Sequence, residues 1–133
     1  MIYLLDTNTC IQYLTGRSPL VTAKFKTVPR QDIALCDVVK GELYYGAYRS
    51  SRQESNLALY ETFFSQYVSL PFDGNAAAIY GQIRVRLEKL GTPIGAYDLQ
   101  IAAIAMSNNL TLVTHNTREF QRVEELSLED WEV

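Results

Sequence analysis

Asp6, Glu42 and Asp98 are the carboxylates whose surroundings could do chemistry, and the triplet Thr114-His115-Asn116 stands with them. Asp6 closes the apolar run Ile2-Tyr3-Leu4-Leu5, and Glu42 sits among Val38, Val39 and Leu43. Asp98 opens one of the most apolar stretches of the chain, Leu99 to Ala105, and Asn116 follows the apolar run that begins at Leu110. Each has an ordinary structural explanation. Asp6-Thr7-Asn8 can cap a following helix, and Glu42 can be a solvated glutamate. Asp98 suits the free N–H groups and dipole of a helix's first turn, and Asn116 can cap the last short helix. Capping does not explain why all of them fall at or beside strand ends. In open parallel sheets ligands bind outside the carboxyl ends of the strands. Several separated acids at that rim make a hard-oxygen site, suited to Mg2+ or Mn2+. Asn116 can add a carbonyl oxygen and Thr114 a hydroxyl.

Other chemistries find little support. His115 is the sole histidine, which excludes a two-histidine ribonuclease mechanism, and it reads as an exposed loop residue. Neither G-x-S-x-G nor the phosphate-binding G-x-x-x-x-G-K-[ST] occurs. Cys10 and Cys36 are far apart, form no C-x-x-C and read as buried thiols. An aspartyl-phosphate phosphatase of the haloacid-dehalogenase type would need a carboxylate at position 8, where Asn8 stands.

Twelve Lys and Arg against fifteen Asp and Glu give a net charge of -3, with a pI near 5.1. That is not the broad basic excess of an indiscriminate nucleic-acid binder. A nuclease of this composition would need a local basic patch. Arg84, Arg86 and Lys89 on one helix, and Lys40 and Arg49 near Glu42, are candidates for backbone contact, with a solvated helix face as the alternative.

The elements that must position these groups alternate along the chain. Apolar runs at 2–5, 33–36, 68–71 and 110–114 read as strands. Helices are expected at 9–14, closed by Gly16, and at 18–26, with Ser18 as cap and Pro19 in the first turn. Others follow at 38–48 after a capping Asp37, and from the capping box Ser51-x-x-Glu54. A long helix runs from Asp73 to Gly91, then one at 99–106 and a short one around 120–123. The 133 residues, of which 47% are hydrophobic, fit a single domain over 1–133. Its expected class is α/β, a short central parallel sheet flanked by helices on both faces. With no apolar run long enough to span a membrane and no signal peptide, a cytoplasmic location is expected.

Four segments in order resemble the PIN-domain family, specifically VapC-type toxins of toxin–antitoxin pairs. They are Leu4-Leu5-Asp6-Thr7-Asn8, Glu42 to Ala47, Pro93 to Ala102 and Leu112 to Phe120, and the likeness runs from Met1 to about Trp131. The resemblance implies a Mg2+-dependent endoribonuclease, with Mn2+ able to substitute, acting on structured RNA such as tRNA. It assigns catalytic roles to Asp6, Glu42, Asp98 and Asn116, with Asp6 and Asp98 on the metal. Thr114, Asn8 and Glu119 are secondary candidates, and Lys40, Arg84 and Arg86 are the candidate RNA contacts. Many family members carry an aspartate near Asn116; Glu119 could supply the missing charge. The family also implies a homodimer held inactive by a small antitoxin, received at the acidic pocket and the aromatic segments Tyr44, Tyr45, Tyr48, Tyr60, Phe63 and Phe64. Because asparagine stands at 116, a non-catalytic PIN-like RNA-binding or interaction module is the alternative.

Overall fold

Short apolar runs bounded by polar residues become the strands of the computed structural model, which describes residues 1–133. They are β1 (Tyr3–Leu5), β2 (Ile33–Cys36), β3 (Val68–Leu70), β4 (Thr111–Val113) and β5 (Leu128–Glu129). All pair in parallel in the order β3-β2-β1-β4-β5. Leu4 at the centre lies opposite Ala34 on one side and Leu112 on the other. These three residues are fully buried, as expected of a parallel sheet covered on both faces.

The helices are α1 (Thr7–Thr15), α2 (Pro19–Thr27), α3 (Asp37–Arg49), α4 (Gln53–Phe64), α5 (Gly74–Lys89), α6 (Ala96–Ser107) and α7 (Thr117–Phe120). From β1 the chain steps outward to β2 and β3, then crosses back through α5 and α6 to β4 on the other side of β1. Right-handed crossovers taken in opposite directions cover both faces of the sheet. They also leave a crevice between β1 and β4, the switch point at which such sheets bind ligands.

Local signals set most helix ends. The Ser18 hydroxyl accepts from the Val21 N–H at 3.2 Å, and Asp73 accepts from the Ala76 N–H at 3.0 Å. Gly16 (φ 67°) closes α1, and Gly91 (φ 71°) follows α5, both in the left-handed region that glycine enters without a Cβ penalty. Three expectations are corrected. The capping box at Ser51 does not form: α3 runs through Arg49, so the turn hydroxyl belongs to Ser50, which accepts from the Arg52 N–H and the Asn56 amide, each at 3.0 Å. Asp37 is the first residue of α3 rather than its cap, because Cys36 is still paired in the sheet with Leu70. Its carboxylate instead accepts the Ser69 hydroxyl at 2.6 Å, tying α3 to β3. The last helix lies at Thr117–Phe120, upstream of the expected 120–123, because Thr114 and Asn116 already turn the chain out of β4.

The expected aromatic docking segment divides. Phe63 and Phe64 are core, Tyr44 and Tyr60 are half-buried, and only Tyr45 and Tyr48 stand exposed. Both cysteines are free and buried, and burial pushes the Cys36 thiol up to about 12. No helix is long and apolar enough to cross a membrane.

β5 and the residues after it close the far edge of the sheet through Trp131. Its buried ring meets Tyr3 edge-on at 5.3 Å and Phe25 at 5.7 Å, while its N–H donates to Glu129 at 2.9 Å. Trp131→Ala should therefore cost about 3–5 kcal/mol, the range for emptying an aromatic core site. Urea denaturation followed by far-UV circular dichroism checks this, and an unchanged midpoint would mean that the tail is not docked.

Candidate active site

Asp6 leaves β1 and serves two elements at once. Its N–H donates to the Val113 carbonyl at 3.1 Å, extending the β1–β4 pairing by one residue. One carboxylate oxygen caps α1 by accepting the Thr9 N–H at 2.8 Å. The other accepts the Thr114 hydroxyl at 2.6 Å, and that hydroxyl accepts the Asn116 N–H at 3.0 Å. Capping and site geometry are thus the same arrangement. Asp6 is only 6% exposed; burial raises its pKa, while the bonds from Thr114 and Thr9 oppose the rise.

Glu42 is not a solvated glutamate. It is half-buried on α3 and accepts the Thr7 hydroxyl at 2.7 Å, so the first turn of α1 holds it. Asp98 lies in the first turn of α6, after Gly95 in the cap position. Burial, followed by the charges of Glu119, Glu42 and Asp6, pushes its pKa up to about 6. The four carboxylates therefore share one electrostatic site.

Glu119 enters that site from α7. It accepts the Asn116 side-chain amide at 2.8 Å and the Gly95 N–H at 3.4 Å, tying α7 to the start of α6. Asn116 stands at the cap position of α7 but makes no side-chain capping bond; its amide is spent on Glu119. The resemblance had offered Glu119 as a substitute for the family's aspartate near Asn116, and the short turn of α7 brings the two side chains together. Asn8 is exposed and hydrogen-bonds to none of the acids. His115, also exposed, pairs with Asp130 at 2.9 Å and lies 4.0 Å from Glu132.

Two of the basic candidates pair with glutamates at the surface. Arg84 binds Glu88 at 3.2 Å, and Arg86 grips both oxygens of Glu125 at 2.7 and 2.9 Å. The Lys40 ammonium lies 5.2 Å from the Phe64 ring centre. No ion pair neutralises Asp6, Glu42, Asp98 or Glu119. Four carboxylates with no counter-charge fit a hard divalent cation. No three of them bring oxygens within 4.8 Å of one another. An ion held there would keep part of its water shell, as Mg2+ usually does.

The PIN domain family matches residues 3–126. The tRNA(fMet)-specific endonuclease VapC of Salmonella typhimurium is 40% identical over 129 residues, 97% of each chain. Ribonuclease VapC2 of Rickettsia felis is 35% identical over 133 residues, 99% of each chain. The solved structure of DNA-bound VapBC from Salmonella typhimurium superposes with a TM-score of 0.93 at 39% identity, covering 98% of both chains. VapBC2 of Rickettsia felis bound to a promoter fragment gives a TM-score of 0.91 at 34% identity, covering 98% of this chain and 99% of that one. With the family model matching residues 3–126 and these relatives aligned over 97–99% of its length, the chain belongs to the PIN-domain family, within its VapC ribonucleases.

Proposed function

We propose that the protein is a divalent-metal-dependent endoribonuclease, the toxin of a toxin–antitoxin pair. The observation that carries this is the uncompensated set Asp6, Glu42, Asp98 and Glu119 beside the β1–β4 crevice. Relatives named as ribonucleases at 33–41% identity favour the catalytic reading over a mere binding module. A tRNA is the first substrate to test, because a relative 40% identical over 97% of both chains is specific for tRNA(fMet).

Asp6 and Asp98 are the residues that would hold Mg2+ or Mn2+, which when bound acidifies water and offsets phosphate charge. Thr114 fixes the orientation of Asp6, leaving that carboxylate little freedom to swing away. Glu42, steadied by Thr7, is placed to orient the attacking water and accept its proton. Asn116 and Glu119 act as a unit: the amide aligns the glutamate, which supplies the fourth negative charge beside Asp98. Attack by water leaves a 5′-phosphate and a 3′-hydroxyl, so the RNA 2′-hydroxyl is not the nucleophile. The solved VapBC structures support a cognate antitoxin as partner. A homodimer in the cytoplasm completes the reading.

Cleavage of total RNA or tRNA should require Mg2+ or Mn2+ and stop with EDTA; full activity in chelator would overturn the metal assignment.

The same acids make a stability prediction. The pKa of Asp98 is raised from 3.8 to about 6. Its ionised form therefore opposes folding, and metal-free stability should fall as pH rises through that interval. Mn2+ should raise the melting temperature more at neutral pH than at mildly acidic pH. Equal shifts at both would mean that the ion binds elsewhere.

Asp98→Asn should abolish cleavage while leaving the metal-free melting temperature at neutral pH unchanged or higher, since a repelled charge is removed. Cleavage rate and melting curve, measured side by side, decide this. A folded variant that still cuts RNA removes Asp98 from the catalytic set.

Asn116→Asp would set two carboxylates where an amide now donates at 2.8 Å. The added charge should preserve or raise activity and lower the Mg2+ needed for its half-maximum. A folded variant that loses cleavage at saturating Mg2+ would show that the amide has another role, such as aligning Glu119.

A further inference from the structure

Beside Glu42 a groove of about 670 Å³ runs between α1, α3 and α6, lined by Thr7, Tyr45, Arg49, Tyr97 and Gln100 among others. Its volume falls in the roughly 300–1,000 Å³ range of ligand sites. Two features separate it from an ordinary surface furrow. Tyr45 and Tyr97, from different helices, are 64% and 62% exposed, so two large rings stand open to solvent on one groove. Arg49, whose guanidinium lies 5.2 Å from the Tyr45 ring centre, forms no ion pair with any acid. Arg84 lines a separate cavity of about 230 Å³ that contains none of the four acids.

Exposed aromatic faces with an unpaired guanidinium are the chemistry that holds single-stranded nucleic acid: bases stack on the rings and the cation meets the backbone. The groove is continuous with the reaction site because Glu42 and Thr7 line it. Gln100, half-buried on its wall, carries both a donor and an acceptor for a base edge. A duplex keeps its bases stacked on one another, so only an unpaired nucleotide can use these rings.

We infer that Tyr45 and Tyr97 are base-stacking residues that seat an unpaired nucleotide next to the scissile phosphate, with Arg49 on its backbone and Gln100 on its base edge. This rests on the ribonuclease reading above and adds the residues that select the RNA. None of the four touches the reacting atoms, so they set binding and positioning.

The test uses the full-length chain with Asp98→Asn, in Mg2+, and a fluorescein-labelled seven-nucleotide single-stranded RNA. A blunt RNA duplex of the same length is the control. Tyr45→Ala and Tyr97→Ala should each weaken single-strand binding about tenfold, while Tyr→Phe at either position restores it and duplex binding does not change. Arg49→Gln should flatten the salt dependence of the logarithm of affinity by about 0.7, the loss of one single-strand phosphate contact. In the cleavage-competent chain the tyrosine variants should raise KM more than they lower kcat. Well-folded alanine variants that bind the single strand as tightly as the parent overturn the inference while the ribonuclease reading stands. Alanine variants that leave RNA binding intact but change the oligomeric state overturn it too, and mark the groove as an interface between copies. If the unaltered chain neither cuts nor binds RNA, the ribonuclease reading fails and this one with it.

Discussion

Burying a carboxylate at the seam of a parallel sheet is costly unless its oxygens are hydrogen-bonded, and the fold meets that requirement at Asp6. The Thr9 N–H and the Thr114 hydroxyl reach its two oxygens from α1 and from the end of β4. The first is local, closing within three residues; the second spans 108 positions of sequence and exists only once β1 and β4 are paired. The interaction that orients the central acid is therefore also a report on the sheet being assembled. A β4 misregistered by one residue would turn Thr114 to the opposite side of the strand and leave Asp6 half-bonded.

Asp6 is where attraction holds the site, and Asp98 is where repulsion loads it. The chain spends folding energy to bring Glu42, Glu119 and Asp6 within reach of a partly buried aspartate, and none of the four is ion-paired. A protein selected for stability alone would have set an arginine there, since a neighbouring cation lowers a carboxylate's pKa and favours its charged form. Neutral donors are used instead: Thr7 on Glu42, Thr114 on Asp6, and the Asn116 amide on Glu119. They fix the geometry without cancelling the charge, leaving the field available to a cation.

How much of this was legible depended on the range of the cause. Asp6, Asp98, Ser18, Asp73 and the two turn glycines could be read because capping and helix termination are decided within a few residues. The α/β class followed from fully apolar runs alternating with amphipathic ones. Glu42 could not be separated from a solvated glutamate by its neighbours, because what distinguishes it is Thr7, 35 residues away. Glu119 was visible only through the resemblance, as a stand-in for the family's aspartate near Asn116, since its place beside Asp98 depends on α7 folding back against Gly95. β5 escaped notice because two half-buried residues carry no periodicity; its pairing is imposed by β4 and by Trp131. That Arg84 and Arg86 each pair with a surface glutamate, Glu88 and Glu125, is decided by the fold and by side-chain reach, not by neighbours that mark an arginine as an RNA contact.

An acidic protein that handles an acidic polymer must overcome repulsion at short range. With a formal charge of -3 and an active site that adds to the repulsion, long-range attraction to RNA is weak, and binding must come from contacts that act at short range. A divalent ion held at the rim would offset part of that charge where the reacting phosphate must sit. Away from it, stacking is the interaction least affected by net charge, because it depends on ring faces and dispersion rather than on ionic steering. The exposed tyrosines lie on α3 and α6, the same helices that carry Glu42 and Asp98. A shift of either helix would therefore move a ring and one of these carboxylates together, so the proposed stacking and the proposed chemistry would stay in register.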